Sequence, residues 1–443
     1  MTRSILIRNG TIVTMDQQET IVSGDVLIRD GRIAEIGAEI NEEADEVIDA
    51  HNCAVLPGFV QTHIHLCQTL FRGAADDLSL IDWLKKRVWP MEAAHTQESL
   101  RASAALGVAE LIKGGTTCAL TMETVRHTEV VLQVVAESGF RAIVGKCMMD
   151  KGDDVPPALQ EQTRASIAES LALINKWHGE NDGRIRCCFA PRFAISCTRE
   201  LLTEVSRLAR EHGVMIHTHA SENTTECAIV QRESGLRNVA YLDSLGISGV
   251  HVVLAHCVHL NDQEIQTLAS TRTNVSHCPS SNLKLGSGIA PLAQLLYAGV
   301  SVSLGADGAA CNNRLDLFTE MRTAALLQKA LHGPEVVPAA RALRMATIDG
   351  ARALGLEGEI GSIEAGKRAD VIIVDLNRLS LTPAPDVVAA LVYSAQAADV
   401  RTSIIDGQIV LRDGELLTLN EASVREEANR EFEVLRQRAR IPV

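Results

Sequence analysis

Two histidines separated by one residue, His63 and His65, follow an apolar run in the stretch GFVQTHIHL. Because side chains alternate along a strand, both imidazoles project from the same face and can share one cation. A single H-x-H pair at the end of a strand also arises by chance. It predicts a metal site only if other residues of ligand type lie at equivalent places in the fold.

Further residues of ligand type do end other apolar runs of the chain. They are His217, His219 and Glu222 after the fifth run, His256 after the sixth, and Asp307 after the eighth. Catalytic zinc takes three or four imidazole or carboxylate ligands and keeps one position for water, whose pKa it lowers to about 7. The repeated placement therefore predicts one shared metal site.

The candidate metal ligands are His63, His65, His219 and Asp307. His217 shares a strand face with His219 and is an alternative to it as a ligand. Glu222 lies three residues beyond His219 and is the candidate to move protons. His256 is the candidate to hold the water by a hydrogen bond or to assist as a base.

The elements that must position these residues are eight short apolar runs, each followed by a segment with helical spacing of apolar residues. The runs are CAVLPGFVQTH, GTTCALTME, FRAIVGKCMMD, GRIRCCFAPRF, GVMIHTHASE, HVVLAHCVH, TNVSHCPSSN and VSVSLGADG. Eight β-α units in succession predict an α/β fold of the (β/α)8 barrel type, in which chemistry lies at the C-terminal ends of the strands. The candidate residues stand at those ends.

Both ends of the chain have a different pattern, with short alternating strands joined by Asn-Gly and Asp-Gly turns. The simplest interpretation is one small β-sandwich built from both ends, beside the barrel. The predicted units are a first β part at 1–57, the metal-dependent barrel at 58–358, a second β part at 359–420 and a C-terminal helix at 421–443.

The charge balance excludes some partners. The net charge is -14, which argues against nucleic acid or an anionic membrane as a partner. No apolar run approaches the roughly 20 residues of a membrane helix, and the N-terminus lacks a signal-peptide pattern. The 11 cysteines are scattered without a C-x-x-C pair. We therefore expect a cytoplasmic protein acting on a small molecule.

The motifs PGFVQTHIHLCQTLFRGAADDLSLIDWL, HASE, LAHCVHL, SHCPSSNLKLGSGIAP, LGADGAACNN and EIGSIEAGKRADVIIVDL resemble the amidohydrolase superfamily. More narrowly, they resemble its aminohydrolase branch, which holds methylthioadenosine/S-adenosylhomocysteine deaminases, 5′-deoxyadenosine deaminases and s-triazine hydrolases. The resemblance covers nearly the whole chain. It implies a homo-oligomer, as a dimer or tetramer.

The resemblance also implies a site with one divalent metal, usually zinc and sometimes iron. Glu222 matches the glutamate that shuttles protons, His256 matches the histidine that orients water, and Asp307 doubles as ligand and base. Glu222 would protonate a ring nitrogen so that water attacks the neighbouring carbon and ammonia leaves. The fourth run, RIRCCFAPRF, lacks the lysine that bridges two metals in relatives that open cyclic amides. Such an activity is therefore disfavoured.

Substrate residues are inferred from the same resemblance. Trp83 and Glu92, in DWLKKRVWPME, match positions that pack the ligand and bind ribose hydroxyls in the nucleoside deaminases. Gly308 follows the metal aspartate where chlorohydrolases carry Asn or Asp. Arg192 stands where a histidine is usual, and it is a candidate to bind an anionic or carbonyl group. Lys146 takes one position of an arginine pair that binds the carboxylate of S-adenosylhomocysteine, which predicts a weak clamp and a preference for smaller 5′ groups.

Three functions follow from these observations. The first is a metal-dependent deaminase of an adenosine-type nucleoside, of the 5′-deoxyadenosine, 5′-methylthioadenosine or S-adenosylhomocysteine class. The second is an s-triazine hydrolase of the N-ethylammeline chlorohydrolase type, which removes chloride or amine. The third is a barrel without activity, which is disfavoured because every ligand position is filled.

Overall fold

The computed structural model describes residues 4–152 and 154–441, and these form two β-sheets and a set of helices. The strands are β1 Ser4–Val13, β2 Ile21–Arg29, β3 Arg32–Gly37, β4 Glu46–Asp49, β5 Cys53–Pro57, β6 Phe59–His65, β7 Thr116–Met122, β8 Arg141–Met148, β9 Ile185–Pro191, β10 Ile216–Ala220, β11 Val252–His256, β12 Asn274–His277, β13 Val302–Leu304, β14 Asp307–Gly308, β15 Val371–Asp375, β16 Val400–Ile405, β17 Gln408–Arg412 and β18 Glu415–Leu416.

The central strands form a parallel sheet in the order β13-β12-β11-β10-β9-β8-β7-β6-β14. Its two end strands, β13 and β14, are consecutive in the chain and separated only by residues 305–306. The sheet therefore curls until its first and last strands meet, which agrees with a TIM-like barrel. The carboxyl ends of all these strands face one rim, as the sequence predicted.

Helices follow the strands of the parallel sheet, and the last two helices of the chain follow strands of the second sheet. They are α1 Leu80–Trp83, α2 Trp89–Ala93, α3 Gln97–Lys113, α4 Thr128–Ser138, α5 Thr163–Trp177, α6 Arg199–His212, α7 Thr224–Ser234, α8 Asn238–Ser244, α9 Asp262–Thr271, α10 Pro279–Lys284, α11 Leu292–Tyr297, α12 Ala309–Asn312, α13 Leu317–His332, α14 Ala339–Ala346, α15 Ile348–Ala353, α16 Val387–Tyr393 and α17 Glu421–Ala439. Their ends carry ordinary stop and start signals. In α6, Thr198 caps the N-terminus and Gly213 takes the left-handed conformation at the C-terminus.

Short helical turns complete the chain. One turn of π-helix, Leu84–Val88, joins α1 to α2, and a 3-10 turn, Leu66–Phe71, follows β6 directly. The 3-10 turn is therefore continuous with the strand that carries the histidine pair. Irregular helical turns of this kind are frequent near functional sites.

The remaining strands form a mixed sheet in the order β18-β17-β16-β15-β5-β1-β2-β3, with β4 paired to β1. Strands from both ends of the chain contribute to this sheet, which is consistent with the extra domain predicted from the two hairpin regions. A buried ion pair joins the two sheets, because Arg141 in β8 donates from Nε and Nη2 to both carboxylate oxygens of Asp370 at 2.8 and 2.9 Å.

The domain limits stay predictions. The helix expected at 421–443 contains α17, while residues 1–3 and 442–443 of the outermost predicted units lie outside the described residues. Among the helices of the described chain, none is both long and apolar enough to cross a membrane.

Candidate metal centre and active site

Four side chains from three strands converge at the rim of the parallel sheet. They are His63, His65, His219 and Asp307, all buried, with one ligand atom each within 4.8 Å of one another. The Nε2 atoms of His63 and His65 each lie 3.2 Å from Asp307 Oδ1, and His65 Nε2 lies 3.3 Å from His219 Nε2. The predicted ligand set is thus brought together, and it can hold a divalent metal.

Backbone carbonyls set the orientation of two of these imidazoles. His65 Nδ1 donates to the carbonyl oxygen of Met122 at 2.7 Å, and His219 Nδ1 donates to that of Arg192 at 2.6 Å. Since a carbonyl only accepts, the proton of each neutral ring stays on Nδ1 and the Nε2 lone pair faces the centre. This arrangement suits a metal.

His217 lies behind the centre. Its Nε2 is 2.8 Å from His63 Nδ1, and it does not belong to the cluster that could hold a metal. Burial lowers the pKa of His63 to about 4, and burial also holds the pKa of His217 well below its usual range. Both rings are neutral at pH 7, so His217 can accept from His63 Nδ1 and leave His63 Nε2 unprotonated. That nitrogen is buried and makes no hydrogen bond, as expected for a metal ligand.

We expect His217→Phe to weaken metal binding by about 10- to 100-fold, the usual effect of removing a hydrogen-bond partner of a ligating histidine. The variant keeps all four candidate ligands but leaves His63 free to rotate. Competition with a chromophoric zinc chelator would measure the affinity. His332→Phe, at the exposed end of α13, is the matched control. Equal affinities in the two variants would contradict this role.

Glu222 and His256 stand on the open side of the cluster. The carboxylate Oε2 of Glu222 lies 3.5 Å from His256 Nε2, which is 3.8 Å from Asp307 Oδ2. His256 Nδ1 donates to Asn282 Oδ1 at 2.8 Å, so the lone pair of its neutral ring is on Nε2. Ser281 Oγ donates to Asp307 Oδ2 at 2.7 Å.

Burial raises the pKa of Glu222 well above its usual range, and the charges of Asp307 and Glu226 add to the effect. Glu226 also fixes the loop, because its Oε2 accepts from the backbone N–H of Glu222 at 2.8 Å. The second oxygen of Glu226 accepts from Asn238 Nδ2. Glu222 therefore has a fixed backbone and a carboxyl group with a raised pKa, which can donate a proton.

The backbone is strained at this rim. His256 has a φ of 74° and Asp307 a φ of 63°, while Ser221, the residue before Glu222, has a φ of 53°. Residues with side chains rarely adopt this left-handed conformation. Such strain persists where the surrounding structure fixes a functional geometry.

A cavity of about 20 Å³ lies over the cluster. It is lined by His65, Gln68, Leu80, Trp83, Leu84, Arg192, Phe193, His219, Glu222, His256 and Asp307. This volume holds about one water molecule. Leu80, Trp83 and Leu84, from α1 and the π-turn, form an apolar part of its wall, so a larger ligand requires lining residues to move.

The structure brings together three of the predicted substrate residues in this region. Trp83 and Arg192 line the cavity, while Glu92 in α2 lies directly behind Arg192. Arg192 donates to both carboxylate oxygens of Glu92, at 2.5 and 3.1 Å, and Gln68 Nε2 donates to Glu92 Oε1 at 3.0 Å. The charge of Arg192 is already neutralised, which leaves it poorly suited to bind a separate anion.

Lys146 does not reach the cavity. It shares a face of β8 with Val144 and Met148, which pack outward on the main core. Its ammonium group lies 2.6 Å from Glu161 Oε1, ahead of α5, and donates to the carbonyl oxygen of Cys147. The predicted carboxylate clamp is therefore not supported at this residue.

Sequence reasoning missed several residues of the site. Gln68, Asn282 and Glu226 each contact a candidate residue, yet none of them carries a spacing signal. Asn282 is the last residue of the seventh run, TNVSHCPSSN, and its position near the rim was the one available hint. The contact between His63 and His217 spans two strands and has no local signature.

The fold and the rim together define a class, the metal-dependent hydrolases with a TIM-like barrel and an added β-domain. The amidohydrolase family model matches residues 54–410. The chain therefore belongs to the amidohydrolase family, whose members include hydrolases of C–N bonds.

Relatives match along almost the full length. The chain is 43% identical over 438 residues to a 5′-deoxyadenosine deaminase of Methanobrevibacter smithii, covering 98% of both chains. It is also 43% identical over 414 residues to a 5-methylthioadenosine/S-adenosylhomocysteine deaminase of Thermococcus onnurineus, covering 93% of this chain and 95% of that one.

Solved structures share the fold. An adenosine deaminase of Xanthomonas campestris with bound zinc superposes with a TM-score of 0.93 at 33% identity, covering 98% of this chain and 99% of that one. A zinc complex of an atrazine chlorohydrolase from Arthrobacter aurescens gives a TM-score of 0.91 at 23% identity, covering 97% and 100%. The second likeness shows the fold alone.

Proposed function

We propose that this protein is a metal-dependent hydrolase that removes the amino group of a 5′-modified adenosine and releases ammonia. The observation that carries the proposal is the buried acid Glu222 beside a cluster of three imidazoles and one carboxylate. An aromatic amine needs a proton donor at its ring nitrogen and an activated water at the neighbouring carbon. The names of the relatives support the nucleoside as substrate.

We propose His63, His65, His219 and Asp307 as the ligands of one divalent metal. The donor set of three imidazoles and one carboxylate fits zinc, and it also accepts iron. The zinc-bound adenosine deaminase supports zinc as the first choice. When bound, the metal would lower the pKa of water so that it attacks at neutral pH.

The chain's own residues then have distinct tasks. Glu222 donates its proton to the purine nitrogen next to the carbon that bears the amino group, which makes that carbon electrophilic. His256 Nε2 offers its lone pair to hold the incoming water, and Asp307 Oδ2 accepts a proton from it. Proton transfer through Asp307 and Glu222 to the amino nitrogen lets ammonia leave, so nucleoside and water become the inosine analogue and ammonia.

The ribose of the nucleoside is proposed to lie at Trp83, Arg192 and Glu92. Two hydrogen bonds from Arg192 hold the Glu92 carboxylate in place. Trp83 offers an apolar face over the cavity, and Glu92 offers a carboxylate that accepts from hydroxyl groups. The segment 80–84 is expected to open for entry and to close over the nucleoside. Lys146 lies outside this group, which agrees with a preference for 5′ groups without a carboxylate.

We propose that β13 and β14 are two halves of the eighth strand of a (β/α)8 barrel and that the mixed sheet forms a β-sandwich.

The s-triazine alternative keeps the same cluster but gives no role to Glu92 behind Arg192. No contact among the described residues favours it over the nucleoside.

Ammonia release from zinc-loaded protein tests the proposed function. The panel contains 5′-deoxyadenosine, 5′-methylthioadenosine, S-adenosylhomocysteine, adenosine, guanine, melamine and a chloro-triazine, with chloride release read in parallel. We expect the two nucleosides without a 5′ carboxylate to react fastest. If only the triazines reacted, the assignment of a nucleoside substrate would be contradicted. If the metal-loaded protein converted none of the compounds, the assignment as an enzyme would be contradicted.

A further inference from the structure

The amide of Gln68 is a polar group of the cavity that the proposed mechanism does not use. Gln68 lies in the 3-10 turn after β6, is fully buried and lines the cavity. Its Nε2 donates to Glu92 Oε1 at 3.0 Å. Because a carboxylate accepts but does not donate, this contact fixes the orientation of the amide. The amide oxygen therefore points away from Glu92.

That oxygen, Gln68 Oε1, is buried and has no hydrogen-bond donor among the residues that the structure describes. A buried carbonyl oxygen without a donor is unfavourable, and native structures rarely keep one without a reason. The oxygen lies at the wall of the cavity, so a bound ligand can supply the missing donor.

Gly308 shows how closely the site is built around this oxygen. A Cβ atom at Gly308 would lie 2.4 Å from Gln68 Oε1. The φ of Gly308 is -85°, which any residue adopts, so glycine is needed here for space alone. Since Gly308 follows Asp307, the amide oxygen lies close to the backbone that carries one of the candidate metal ligands.

Glu92 itself has little accepting capacity left. A carboxylate offers about four lone-pair positions. Three of them receive the two Arg192 nitrogens and the Gln68 nitrogen. A vicinal diol brings two hydroxyl donors, so one acceptor besides Glu92 is required. Gln68 Oε1 belongs to the same amide group as the Nε2 atom that donates to Glu92, so it can be that second acceptor.

We propose that Gln68 Oε1 accepts a hydrogen bond from one ribose hydroxyl of the nucleoside, as the second acceptor for the diol beside Glu92. This inference rests on the proposed function and adds a specificity-determining residue to it. Gln68 then selects nucleosides that carry this 2′ or 3′ hydroxyl over analogues that lack it, because such an analogue leaves the buried oxygen unpaired. Gly308 keeps the oxygen in place by its lack of a side chain.

The test combines substitutions in the protein with deletions in the substrate. Zinc-loaded wild type, Gln68→Met and Gly308→Ala are assayed on 5′-deoxyadenosine and on its analogues that lack the 2′ or the 3′ hydroxyl. Gln68→Met keeps the volume and removes the acceptor, while Gly308→Ala pushes the oxygen aside. Gln266→Met, on the exposed face of α9, is the control. Zinc content and melting temperature are recorded for each protein.

With 5′-deoxyadenosine, both variants should lose about 5- to 100-fold in kcat/KM, the range for one buried unpaired group. With the analogue that lacks the paired hydroxyl, wild type and variants should differ by less than about threefold, since that hydrogen bond is already absent. Equal losses with all three substrates, or no loss, would overturn the inference while the proposed function stands. A wild type that deaminates none of the three would overturn both.

Discussion

Replacing Glu222 by glutamine is expected to lower kcat for nucleoside deamination by about 100- to 10,000-fold, the contribution of a positioned general acid–base group. The side chain is buried, and burial keeps the pKa of the carboxyl well above its usual range. It can therefore donate a proton at neutral pH. Glutamine has nearly the same shape but its amide cannot transfer that proton to the ring.

Metal content separates this effect from a damaged site. Glu222 is not among the four residues of the candidate ligand cluster, so Glu222→Gln should retain zinc as the wild type does. The Oε2 contact of Glu226 to the backbone of residue 222 also remains. Single-turnover ammonia release would report the chemical step. Glu200→Gln, an exposed glutamate at the start of α6, serves as the control.

Two results would contradict this role of Glu222. One is a kcat for Glu222→Gln that matches the Glu200→Gln control. The other is loss of zinc in proportion to lost activity, which would make Glu222 part of the metal binding instead. A lower kcat with full zinc and little change in KM is the expected pattern.

The metal cluster could be predicted from sequence because its residues obey simple geometric rules. His63 and His65 share a strand face by alternation, and Asp307 and His219 stand where other parallel strands end. In a curled parallel sheet, all such ends meet at one rim. These residues therefore come together because each stands at the carboxyl end of a strand, although they are far apart in the sequence.

The role of Lys146 could not be predicted in this way. Strands of a parallel sheet with helices outside are buried on both faces, so the sequence of β8 does not tell which face is inside. In the structure, Lys146 faces outward with Val144 and Met148, and Glu161 neutralises it. The resemblance gave a position in the chain but no information about this local ion pair.

The sugar side was predicted only in part, because its contacts join residues far apart in sequence. Glu92 and Arg192 were each identified, but their pairing across 100 residues leaves no pattern in the chain. Gln68 is a single glutamine after a strand and carries no spacing signal. Such contacts depend on how α2 packs against the rim, which tertiary structure decides.

The ion pair between Arg192 and Glu92 leads to the second large effect. We expect Arg192→Met to lower the free energy of unfolding by about 3–5 kcal/mol, because it leaves a buried carboxylate without its cation. The side chains are 4% and 1% exposed. Burial opposes the charge of Arg192, yet Glu92 outweighs burial and raises the pKa of the guanidinium. The single hydrogen bond from Gln68 cannot replace the two charged hydrogen bonds from Arg192.

Arg207→Met is a matched control for that measurement. Arg207 pairs with Glu204 and Glu211 on the exposed face of α6, with 57% of its side chain accessible. Exposed ion pairs contribute about 0–1 kcal/mol, so this variant should unfold nearly as the wild type does. The urea concentration at the midpoint of unfolding would be compared among wild type, Arg192→Met and Arg207→Met. The comparison reports stability if the unfolding free energy depends on urea equally in all three. Equal midpoints for Arg192→Met and Arg207→Met would contradict the structural role.

The double variant Glu92→Met/Arg192→Met decides whether the pair serves stability or substrate binding. Replacing both charges by apolar groups is often neutral or stabilising, so the double variant should recover most of the lost stability. If Glu92 anchors the ribose, kcat/KM for 5′-deoxyadenosine nevertheless stays low while zinc content is normal. If activity returned with stability, the role of the pair would be structural only. The sugar would then have to be bound by other residues at the cavity wall.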